Sequence, residues 1–139
     1  MPKVPAYEQV RAALAAQLGE PPVEVSLGAL VAAVVAARRR GEQPERSALK
    51  LAVRELCRTL AEAHPGRTVE VRVPPYAAVQ CLAGPRHTRG TPANVVEAEP
   101  VAWVDLCAGL LRWPDAVRDG RLRASGERSD LSLLLPLTG

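Results

Sequence analysis

An α+β fold is predicted by three observations: apolar residues at helical spacing through the first half, a switch to period two at Gly66, and a return to helical spacing after Glu99. The 139 residues suffice for one core. We read 1–139 as a single domain, with an N-terminal three-helix segment over 1–65 and an α+β segment over 66–139.

Pro5 opens the first helix where a missing N–H costs nothing, Val10, Leu14 and Leu18 recur four apart, and Gly19 with Pro21-Pro22 stops it. Ser26 caps the second helix. Its face is Leu27, Leu30, Val31, Val34 and Val35, and it ends at Arg38-Arg39-Arg40-Gly41. The third starts near Pro44, carries Leu49, Val53, Leu56 and Leu60, and stops at Pro65-Gly66. Thr68 to Val73 then alternates polar and apolar, as a strand with one buried face does. Ala77 to Ala83 is apolar on both faces except at Gln80, which predicts an inner strand. Residues 84 to 94 form a loop rich in Gly and Pro, and Val95 to Ala98 a short strand. Glu99-Pro100 starts a buried helix bearing Trp103, Val104, Cys107 and Leu111. Trp113 to Val117 adds a helical turn or two, and Arg121 to Ser125 alternates as a last strand.

Composition narrows the function classes. Lys and Arg total 18 against 15 Asp and Glu, so the net charge of +3 permits an acidic partner without demanding one. Aromatic residues are 3% of the chain and Phe is missing, which leaves little for stacking bases. The Arg38–Arg40 triplet suits a helix C-terminus better than a nucleic-acid contact, so no nucleic acid is expected. The start MPKVPAYEQV has no apolar run of signal-peptide length, and Ala29 to Ala37 is too short to span a bilayer. A cytoplasmic location without stable membrane insertion is the expectation.

Cys57, Cys81 and Cys107 are dispersed in apolar surroundings and read as buried thiols. With no CxxC, HxxxH or HExxH spacing, no metal set can be written and no cofactor is expected. A Cys81 or Cys107 nucleophile paired with His87 would need an exposed thiol, and Ser125 lacks the GxSxG turn, so the chain is read as non-enzymatic.

From Val95 onward the order of pieces is distinctive. Glu97 and Glu99 precede a helix with Cys107-Ala108-Gly109-Leu110-Leu111. Trp113-Pro114-Asp115-Ala116-Val117 follows, and then Gly120-Arg121-Leu122-Arg123-Ala124-Ser125-Gly126. This run resembles the end of sterol carrier protein domains, and the whole chain looks closest to small actinobacterial sterol carrier family proteins, including the loop GPRHTRGTPANVVE. The resemblance covers residues 66–139 and implies a curved, mostly antiparallel sheet covered by helices around an apolar tunnel for lipids. Two departures stand out: three strands precede the helix where that family usually has four, and three helices replace a shorter helical lead.

The function so implied is non-enzymatic binding or carriage of a lipid or other hydrophobic ligand. Val71, Val73, Val79, Cys81, Val104, Leu111 and Leu122 would line the interior, with Trp103 as wall or plain core. Arg86, His87 and Arg89 would sit at the rim, where two guanidinium forks and an imidazole suit a carboxylate or phosphate. The same loop, simply exposed, would pair its arginines with Glu97 or Glu99. The alternative is an interaction module with a closed core, forming a homodimer through the small residues Ala29, Ala32, Ala33, Ala36 and Ala37.

Overall fold

A computed structural model describes residues 4–84 and 94–138. Its elements follow the order α1 (Tyr7–Leu18), α2 (Leu27–Arg39), α3 (Arg46–Ala63), β1 (Val69–Val73), β2 (Ala77–Cys81), β3 (Asn94–Ala98), α4 (Pro100–Cys107), α5 (Trp113–Arg118) and β4 (Leu122–Ser125), with a 3-10 turn at Ser132–Leu134. This is the α+β arrangement expected.

Local chemistry sets the boundaries. Ser26 Oγ accepts from the Ala29 N–H at 3.0 Å, the side-chain cap expected for α2. Pro5 instead precedes the helix: Ala6 is the N-cap with extended backbone, and α1 starts at Tyr7. Gly19 ends α1 in the left-handed conformation that glycine adopts without a Cβ clash. At Gly66 a Cβ would sit 2.0 Å from the Leu82 carbonyl oxygen, so only glycine lets the chain leaving α3 cross the base of the β1–β2 hairpin. There Thr68 N–H bonds Leu82 O and Leu82 N–H bonds His64 O.

The four strands form one sheet in the order β2-β1-β3-β4. β1 pairs antiparallel with β2 and parallel with β3, and β3 pairs antiparallel with β4. β2 is therefore an edge strand, not the inner strand its composition suggested. Its apolarity has another cause: Val79 and Cys81 are buried where α3 packs closely on β2, while Ala78 on the opposite face is exposed.

One core spans both halves. α1 contributes Val10, Ala13 and Leu14, α2 contributes Leu30, Val34 and Val35, and α3 contributes Leu49, Val53, Leu56 and Leu60. The sheet adds Val69, Val71, Val73 and Val96, and α4 adds Trp103 and Val104. α3 is the shared layer, touching α1, α2, α4 and β2. At about 25 cal/mol per Å² of apolar surface removed from water, this continuous burial is the main stabilising contribution.

Candidate functional site

The eight interior residues singled out in the sequence lie on β1, β2, α4, the turn after α4, and β4. Val71, Val73, Cys81, Trp103 and Val104 are 0% exposed, Leu122 1% and Val79 7%, with Leu111 half-buried. Seven of them belong to one hydrophobic core, and Leu111 packs against it. Arg86, His87 and Arg89 lie outside the described residues.

The thiols are buried in that core, as expected. Burial first, and the neighbouring Cys81 second, push the Cys57 thiol up to about 12. Burial pushes Cys81 up to about 11, and burial with the nearby Cys57 holds Cys107 well above the usual thiol range. Such thiols stay protonated near neutrality and are poor nucleophiles. The buried Trp103 Nε1–H lies beside the Cys57 sulfur and completes no hydrogen bond among the described residues.

Open space occurs on the helical layer. A cleft of about 350 Å³ runs between α2 and α3, walled by Gly28, Val31, Ala32 and Val35 on one side and Leu56 and Thr59 on the other. Its geometry follows from α2's sequence: Gly28 and Ala32, one turn apart on the exposed side, are too small to fill the groove that Val31 and Val35 floor. Arg39, Glu55 and Thr138 complete the lining, and the Thr138 hydroxyl is buried without a hydrogen-bond partner among the described residues. Thr138 is brought there by a strap in which Leu137 and Thr138 N–H groups both bond the Cys107 carbonyl, at 2.8 and 3.1 Å. Of the small α2 residues read as a dimer contact, Ala32 lines this concave surface.

Two arrangements that hold the site were not foreseen. Arg38 Nε and Nη2 donate to Asp105 Oδ1 and Oδ2 at 2.9 and 3.0 Å, a two-pronged bridge from α2 to α4, with both side chains at 14% and 9% exposure. Its Nη1 donates to the Glu42 carbonyl at 2.7 Å, and Arg121 Nη2 approaches Asp105 Oδ2 at 3.7 Å. In the sequence, Arg38 is one member of a basic triplet, and Asp105 is the single acid in a buried helix. An acid in that position signals a partner, but not which one. Asn94 is the other: its Nδ2 donates to the Thr68 carbonyl at 3.0 Å and its Oδ1 accepts from Arg128 N–H at 2.9 Å, tying the start of β1 to the turn after β4.

Among the described residues no cluster of His, Cys, Asp and Glu could hold a metal ion, and no helix is long and apolar enough to cross a membrane. No curated protein matches the chain. Residues 45–137, from the start of α3 through the C-terminal strap, match the family described as bacterial SCP ortholog. The match covers most of the chain and all of the sheet, and the chain belongs to this sterol carrier protein-like family.

Proposed function

We propose that the protein binds a hydrophobic ligand about the size of one acyl chain, without acting on it chemically, and that the ligand lodges in the α2–α3 cleft. The carrying observation is the cleft itself: about 350 Å³ of open space floored by Val31, Val35 and Leu56, within the usual range for small-molecule sites. Each methylene buried there would contribute about 0.8 kcal/mol. Arg39 and the unpartnered Thr138 hydroxyl provide polar groups at its border for a ligand's head. Family membership supports a hydrophobic ligand, and the high thiol pKa values speak against thiol chemistry. In this reading Val71, Val73, Val79, Cys81, Trp103, Val104, Leu111 and Leu122 keep the sheet under α3 and α4 and do not touch the ligand.

Titration with a fluorescent fatty acid tests the proposal, alongside native mass spectrometry of the purified protein for co-purifying lipid. Saturable uptake by the native chain, and loss of at least tenfold in affinity on Ala32→Trp with an unchanged unfolding midpoint, are expected. Equal uptake by that variant would place the ligand elsewhere, and no uptake by the native chain would end the proposal.

A further inference from the structure

A second cleft, of about 400 Å³, lies where the chain before α1 meets α3 and the start of α2. Its lining includes the apolar Val4, Leu27 and Leu51 and the polar Gln9, Arg54, Glu55 and Arg58. The two arginines are in different electrostatic situations. Arg58 is spent: Nε and Nη2 donate to the two Glu55 oxygens at 2.8 and 2.7 Å, and Nη1 donates to Glu62 at 2.8 Å. Arg54 has no carboxylate within ion-pair distance among the described residues, although it stands next to Glu55 in sequence. The reason is geometric: its Nε donates to the Tyr76 carbonyl at 2.9 Å, which holds the guanidinium toward the β1–β2 turn.

This leaves a half-buried guanidinium with fixed Nε and two terminal amino groups uncommitted, in a cleft also lined by Leu27 and Leu51, the latter one turn away on α3. A planar fork held in place loses little rotamer freedom on binding and matches two oxygens of one anion. The Gln9 amide lines the same cleft and can donate a further hydrogen bond. The Arg58–Glu55–Glu62 group carries a net charge of about −1, which opposes a dianion more than a monoanion.

We propose that this cleft is a second binding site, sharing only Glu55 with the lining of the α2–α3 cleft, for a small amphipathic monoanion whose carboxylate oxygens are gripped by Arg54 and whose apolar body lies on Leu27 and Leu51. The monoanion preference follows from the fixed negative group beside it, and the requirement for an apolar body follows from Leu27 and Leu51 in the lining.

The test uses the full-length protein and NMR or calorimetric titration with four probes: octanoate, octyl phosphate, octanol and inorganic phosphate. Octanoate is expected to shift the Gln9 side-chain amide and the Leu27 and Leu51 methyls, with octanol at least tenfold weaker. Octyl phosphate, largely a dianion near neutral pH, is expected to bind more weakly than octanoate, and binding as tightly would overturn the monoanion preference, whereas saturation by inorganic phosphate alone would overturn the need for an apolar body. Arg54→Gln is expected to weaken octanoate about tenfold and leave octanol unchanged. Arg54→Lys, which keeps the charge but not the fork, should fall between, and it stands in if the Gln variant unfolds. Equal binding of octanoate and octanol, or no effect of either Arg54 variant, would refute the site. Ala32→Trp should leave these shifts untouched, so failure here and failure of the α2–α3 reading remain distinguishable.

Discussion

At the scale of single residues, the sequence shows which groups are buried better than it shows what they meet. Cys57, Cys81 and Cys107 are recognisable as core thiols from their apolar neighbours, because burying a small weakly polar group needs no specific partner. Asp105 and Arg38 need one another, 67 positions apart, and nothing local in either segment encodes the pairing. Two predictions follow from these groups. The folded pKa values of Cys57 and Cys81, about 12 and 11, lie above the ordinary 9.0. Their contribution to stability is therefore complete below about pH 9 and is lost as pH rises toward 11 and 12, where the unfolded chain releases thiol protons first. The slope approaches about 1.4 kcal/mol per pH unit for a fully buried thiol. Urea unfolding in reducing buffer from pH 8 to 10.5 should show the decline, and Cys57→Ala should flatten it. Separately, Arg38→Ala leaves the Asp105 carboxylate buried without its bidentate partner and is expected to cost about 3 kcal/mol. Arg38→Ala with Asp105→Ala should cost less than the sum of the singles in a double-mutant cycle.

Among the elements, helices and strands were legible and their neighbours less so. The apolar stripe of α3 and the alternation of β1 follow from periodicity alone, and both elements appear within two residues of their expected ends. The place of β2 at the sheet edge was not legible. Val79 and Cys81 are apolar because α3 packs on them, and a strand covered by a helix reads much like a strand flanked by strands. The α2–α3 cleft was half legible: Ala32 belongs to the small-residue stripe read as a dimer contact, but whether another helix or open space lies beside it depends on helix placement. Gly66 gives the sharpest element-level prediction. With a Cβ 2.0 Å from the Leu82 carbonyl oxygen and φ of +151°, Gly66→Ala must displace the hairpin base. A loss of about 2 kcal/mol in thermal or urea unfolding is expected, while Gly41→Ala, which meets nothing within 4 Å, should cost about 1 kcal/mol from its positive φ alone.

For the molecule as a whole, the family match begins at residue 45, yet the packing makes the preceding helices integral. Leu30 and Val34 of α2 are fully buried in the same core as Leu56 and Leu60 of α3, and Arg38 closes the bridge to α4. A chain starting at Glu45 is therefore expected to bind a hydrophobic dye and unfold without a cooperative transition, whereas the full chain unfolds in one step, as measured by calorimetry. The late motifs gave the family, because their order and spacing survive without knowledge of contacts. The ligand's place was not given by them: Val71, Val104 and Trp103 are fully buried, while a cleft opens between α2 and α3. The most direct test of the account is a methyl- and amide-resolved NMR titration of the full-length Arg54→Gln protein with a saturating acyl ligand. Shifts on Gly28, Val31, Ala32, Val35 and Thr59, with Val71, Val73 and Val104 unmoved, are the predicted result. Shifts centred on Val71, Val73 and Val104, signalling a ligand between sheet and helices, would contradict it.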